Sequence, residues 1–145
     1  PKKTNMANNH QDTPEPTAEE LADRCTEICE SNKAENIQLF KVNPAYSVLA
    51  DYYLICCAES QPHIRAVCRE LRYHLSKTYQ IHPANTDGSY ESRWVVIDYG
   101  SVMVHVIHPE LREKYRLEDL WEMHEKVYEN RNTAIREFSV SDPDA

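Results

Sequence analysis

Glycine is almost missing from this chain: its 145 residues include only Gly88 and Gly100. A phosphate cradle of the Gly-x-x-x-x-Gly-Lys kind needs glycines so that backbone N–H groups can close on the anion, and the sequence has no such motif. Basic charge is also in short supply, with 16 Lys and Arg against 24 Asp and Glu and a formal net charge of -8. Phosphate neutralisation dominates affinity for a nucleic-acid backbone, so a protein that holds one usually carries a basic stripe. The one dense basic cluster here is Arg65, Arg69 and Arg72, at a spacing that equally suits a solvated helix face. An acidic domain would sooner meet a basic protein surface. No apolar run approaches the roughly 20 residues of a membrane span, and the N-terminal stretch has no hydrophobic segment of the signal-peptide kind. Five cysteines, Cys25, Cys29, Cys56, Cys57 and Cys68, are odd in number and form no Cys-x-x-Cys pair. They read as small buried hydrophobes in a reducing compartment, and the expectation is a soluble, cytoplasmic protein.

What is present is enough apolar sequence for one ordinary domain. Residues 1–16 are polar, include Pro14 and Pro16, and read as a disordered N-terminal tail. The domain is expected over 17–129, with a flexible C-terminal tail over 130–145. Thr17-Ala18-Glu19-Glu20 is a capping box, and Leu21, Cys25, Ile28 and Cys29 recur at helical spacing behind it to about Ser31. Strands are expected over 36–42 and 51–57, with Asn43-Pro44 ending the first. Ser60 caps a long helix whose buried face is Ile64, Val67, Cys68, Leu71 and Leu75. A short strand over 81–86 and a polar loop over 89–93 follow. Pro109 opens a last helix, with Leu117, Leu120, Trp121 and Val127 on its apolar side. This order predicts an α+β or mixed α/β domain, a mixed sheet of about five strands with flanking helices. A right-handed crossover is allowed between the second and third strands, and the last two strands must be antiparallel.

Trp94 to Ile107 is the most informative stretch. Two β-rich arms flank Gly100, which can take the positive φ that a tight reversal asks for. Asp98 stands at the mouth of the turn and His105 between Val104 and Val106, as a turn-forming aspartate and a core histidine or as members of a site. Catalytic readings find little to build on. Nucleotidyl transfer asks for carboxylates two apart on a strand to hold Mg²⁺, and no Asp-x-Asp lies in any expected strand; Asp51 and Asp98, the pair that a sheet could bring together, each also read as a strand-end or turn residue. His105 and His108 leave opposite faces of an extended chain, a poor start for a zinc site. The expectation is therefore a non-enzyme without metal or cofactor.

Taken together, Asp87-Gly88, Trp94, Asp98-Tyr99-Gly100, Val104-His105-Val106 and then Arg112, Tyr115, Leu117-Glu118 and Leu120-Trp121 resemble the ribosomal silencing factor (Iojap) family. Ala50-Asp51-Tyr52-Tyr53-Leu54-Ile55 matches that family's Ala-Asp-Tyr-aromatic-Val-Ile strand, and the likeness spans about residues 18–122. Asp87 stands where the family more often has Glu, and Glu59-Ser60-Gln61-Pro62 replaces a smaller, hydroxyl-rich segment. The resemblance implies a nucleotidyltransferase-like fold. It also implies a protein that binds the fourteenth protein of the large ribosomal subunit and blocks joining of the small subunit, lowering translation when nutrients fail, or that acts in ribosome assembly. The alternative from another class is a nucleotide-dependent transferase on the same fold. The residues expected to meet the partner are Trp94, Asp98, Tyr99, Gly100, Met103, His105 and Ile107, with Met103, His105 and Ile107 on one side of the last strand. Tyr115, Leu117, Leu120 and Trp121 are expected to be structural. No membrane or sequence-specific nucleic-acid contact is expected, and a homodimer off the ribosome is compatible with an exposed apolar sheet face.

Overall fold

Helix α1 (Ala18–Ser31) begins at the expected capping box: Thr17 Oγ1 accepts the Glu20 N–H at 3.0 Å, and Glu20 Oε1 accepts the Thr17 N–H at 2.9 Å. The structure, a computed structural model, describes residues 15–131. Strands β1 (Glu35–Lys41) and β2 (Tyr52–Cys57) follow as an antiparallel pair. Helix α2 (Gln61–Tyr79) is capped by Ser60, whose Oγ accepts the His63 N–H at 3.1 Å. Then come β3 (Asn85–Ser89), β4 (Trp94–Asp98), β5 (Val102–Ile107), α3 (Pro109–Tyr115), a single turn α4 (Leu117–Leu120) and β6 (Glu125–Asn130).

The six strands form one sheet in the order β3-β4-β5-β2-β1-β6. Only β2 and β5 run parallel; α2, β3 and β4 lie between them in the chain, and every other neighbour is antiparallel. Helices α1 and α2 cover one face. Leu21, Cys25 and Cys29 of α1 and Ile64, Val67, Cys68, Leu71 and Leu75 of α2 bury themselves there against Leu39, Leu54, Cys56, Val95, Ile97 and Val104. The opposite face carries a smaller cluster, Phe40, Val42, Tyr53, Ile55, Cys57, Ile107 and Leu117, roofed by Leu111 and Trp121. Strand β2 sits between both clusters, which is why Tyr-Tyr-Leu-Ile-Cys-Cys is buried at every residue instead of alternating. Adjacent Cys56 and Cys57 accordingly enter opposite clusters, and all five thiols are free and buried.

Several boundaries differ from expectation. The third strand covers 85–89 instead of 81–86 and contains Asp87-Gly88. All five of its residues are exposed, so no apolar pattern marks it, and only the ladder to β4 defines it. Gly88 takes φ +82°, where a Cβ would lie 2.0 Å from the Trp94 carbonyl oxygen. The helix opened by Pro109 ends at Tyr115, because Arg116 turns left-handed at φ 51°. Val127 therefore lies in an edge strand instead of a helix, and Leu120 is 58% exposed. Asn130 still pairs with Ile37, so the domain edge reaches into the expected tail; residues 1–14 and 132–145 lie outside the described residues.

Glycine scarcity has a backbone cost. Lys33, Asn36, Gln80, Arg93 and Arg116 all take positive φ without being glycine. Asn36 does so where the β1–β2 register slips, and Gln80 as the C-cap of α2.

Candidate partner-binding face

The alternation of β4 and β5 decides which side chains meet on the face that α1 and α2 leave bare. Trp94 stands opposite Ile107, Val96 opposite His105 and Asp98 opposite Met103; on the other side of β5, Tyr53 pairs with Met103 and Ile55 with His105. Directly opposed residues share a face. Trp94, Met103 and His105 thus come together, partly buried, with Asp98 at one end. Ile107 lies beneath them, wholly buried in the smaller cluster.

An aromatic row crosses this face. The Tyr115 ring lies 5.4 Å from that of Trp94, Trp94 is 6.1 Å from His105, His105 is 5.0 Å from Trp121, and Trp121 stacks on Tyr53 at 4.9 Å. Trp94 Nε1–H donates to His105 Nδ1 at 3.1 Å, which fixes a neutral tautomer protonated on Nε2. Burial lowers the His105 pKa to about 4, and protonating Nδ1 would also cost the bond from Trp94. His108, three residues on, caps α3 by accepting the Glu110 N–H at 3.1 Å. Among the described residues no group of three or more His, Cys, Asp or Glu is arranged to hold a metal ion.

The turn holds the remaining expected residues. Asp98 Oδ1 accepts the Gly100 N–H at 2.7 Å, an Asx turn, while Tyr99 N–H donates to the Val102 carbonyl at 2.9 Å. Gly100 takes φ +87° at the exposed tip, with open space where a Cβ would point. Tyr99 does not join the face. Its side chain is buried in the helix-side core, its hydroxyl has no hydrogen-bond partner among the described residues, and burial raises its pKa well above the usual phenol range.

Two of the residues expected to be structural also border this face. Tyr115 and Trp121 belong to the aromatic row, and Leu120 and Met123, beside Trp121 in sequence, are exposed. Val96 lies on this face too, where the period-two pattern through Trp94 and Asp98 places it between them. The structural anchor of this region is Arg112, 5% exposed. Its Nη1 donates to the Asn36 carbonyl at 2.5 Å and its Nη2 to Gln38 Oε1 at 2.8 Å, while Gln38 Nε2 reaches Glu118 and Glu129, each at 3.0 Å. This network ties α3 and α4 to β1 and β6, and so holds the roof that carries Tyr115 and Trp121.

The description "Ribosomal silencing factor during starvation" belongs to a family model that matches residues 15–144. The ribosomal silencing factor RsfS of Bacillus subtilis is 37% identical over 93 residues, 64% of this chain and 77% of that protein. Its counterpart in Halalkalibacterium halodurans is 33% identical over 103 residues, 71% of this chain and 86% of that one. A mouse relative named mitochondrial assembly of ribosomal large subunit protein 1 is 29% identical over 105 residues, covering 68% of this chain and 44% of that protein. A crystal structure from Bacillus halodurans superposes with TM-score 0.64 at 31% identity, over 76% of this chain and 98% of the other. A second, from Chromobacterium violaceum, shares the fold with TM-score 0.67. By the span of the family match and the extent of these identities, the chain belongs to the ribosomal silencing factor family, RsfS.

Proposed function

We propose that this protein binds the large ribosomal subunit through that subunit's fourteenth protein and keeps the small subunit from joining. The supporting observation is the aromatic row from Tyr115 through Trp94 and His105 to Trp121, lying half-buried with Val96 and Met103 on a sheet face that α1 and α2 leave bare. Rigid aromatic side chains supply large contact area at low entropic cost, which makes them frequent interface anchors. Asp98, at the end of the row, offers a carboxylate to a basic ribosomal protein. Obstruction needs no chemistry: a domain seated where the subunits meet excludes the small subunit by volume and affinity alone. The mouse relative's name refers to assembly of the large subunit, and the same contact would serve there. Off the ribosome, this apolar face is the one with which a second copy would pair.

The test is sedimentation of the purified protein with isolated large subunits, followed by addition of small subunits. Co-sedimentation and a fall in joined particles are expected. Absence of binding at low and moderate salt would remove the reading.

A further inference from the structure

A second surface lies on the helical layer. Arg65, Arg69 and Arg72 fall at i, i+4 and i+7 on α2, a single stripe about 10 Å long. Carboxylates pair with Arg24, Arg93, Arg112, Arg116, Lys126 and Arg131. Among the described residues none of them reaches Arg65, Arg69 or Arg72 within ion-pair distance. The nearest acidic neighbour on the helix, Glu70, is taken up by His74 at 3.1 Å.

Aromatic side chains hold these cations in place. The Arg65 guanidinium lies 4.3 Å above the Tyr90 ring, and Arg72 Nη1 donates to the Tyr90 hydroxyl at 3.4 Å. Arg69 and Arg72 line a shallow hollow with Tyr73, Ser76 and His82. Tyr73 is 53% exposed, and Lys77 sits over its ring at 5.5 Å. Tyr90 belongs to the β3–β4 turn, and Arg93 of the same turn reaches Glu110 of α3 on the other layer at 3.7 Å. That turn therefore links the basic stripe to the aromatic face.

We propose that the α2 stripe of Arg65, Arg69 and Arg72, with Tyr73 exposed beside it and Lys77 over the Tyr73 ring, is an RNA-backbone contact. It would grip a large-subunit RNA segment next to the protein that the aromatic face binds, so its ribosomal setting rests on the function proposed above. Guanidinium forks match phosphate oxygens two at a time, and an exposed tyrosine between cations is suited to a ribose or an unstacked base. The net charge of -8 opposes free RNA at long range. Beyond a Debye length of about 10 Å that repulsion is screened, so the local stripe decides contact affinity.

The experiment uses the full chain and its Arg65→Gln/Arg69→Gln double variant. Both arginines are exposed, and Arg72 is left in place because it bonds Tyr90. The first probe is a short fluorescein-labelled RNA duplex, followed by anisotropy from about 50 mM salt upward. The native protein is expected to bind at low salt, and the variant to bind at least about ten-fold more weakly, with a log–log salt slope shallower by about two. No binding by the native protein, or equal binding and slope in both, would overturn the proposal. The second probe is the isolated large subunit. Native-level affinity and salt slope in the variant would overturn the RNA contact while leaving subunit binding intact. Duplex binding without any subunit binding would support the basic contact and remove the ribosomal function instead.

Discussion

His105 shows how a single side chain couples the face to pH. Folded, it takes a proton near pH 4; unfolded, near the ordinary 6.5. Between those values the unfolded chain binds more protons, so stability is fully present above about pH 6.5 and falls as pH drops toward 4. Discounted for the ring's partial contact with solvent, the loss should be on the order of 2 kcal/mol. Denaturant titrations at pH 7 and pH 4.5 should reveal it, and His105→Gln, which keeps an acceptor for Trp94 Nε1, should flatten that part of the profile. Asp98 needs a substitution that separates charge from turn. Asp98→Asn retains an acceptor for the Gly100 N–H, so its melting temperature should stay near native while large-subunit binding weakens several-fold. Unchanged binding would leave Asp98 with its turn role alone. Gln80 holds a left-handed cap at φ 58°. Gln80→Gly should raise stability by roughly 0.5–1 kcal/mol in thermal unfolding, because glycine pays no Cβ penalty there.

At the level of elements, α3, α4 and the strands beneath them are held by one buried guanidinium. Arg112→Met would leave Gln38 Oε1 and the Asn36 carbonyl without their donor, and unfolding should show a loss of about 2–4 kcal/mol. Leu120→Ala is the contrasting case. Sequence periodicity places Leu120 in a core; its 58% exposure predicts a change within about 0.5 kcal/mol. The difference arises at Arg116, whose left-handed turn ends α3 and rotates the next turn out of the expected register. Elements with strong local signals were legible in advance: the capping box of α1, the Ser60 cap and apolar stripe of α2, and the β-branched arms around Gly100. The bounds of β3 and the whole of β6 were not, since an exposed edge strand has no face to bury and so no period to read.

For the whole molecule, the sheet separates two tasks. One face is sealed by α1 and α2, with the thiols of Cys25 and Cys68 pushed up to about 12 by burial, so core cysteines stay unreactive at neutral pH. The other face is only partly roofed, and its aromatic row is the proposed contact surface. Val96→Glu tests that division, because Val96 is partly exposed on the row, opposite His105, and is not among the buried core residues. Large-subunit co-sedimentation should be lost while the far-ultraviolet spectrum and melting curve stay close to native. Retained binding would move the contact elsewhere.

The sequence by itself determined the α+β class, the family resemblance, the main caps and the turn at Gly100, because each depends on residues close together in the chain or on a period repeated along it. It also located Trp94, Met103 and His105 on one arm-and-turn unit. Only the tertiary structure decided that Tyr99 turns into the helix-side core, that Tyr115 and Trp121 complete the aromatic row, and that Arg112 fastens the roof. Those outcomes depend on which strands become neighbours, and the parallel meeting of β2 with β5 joins residues about 50 apart, beyond the reach of any local pattern.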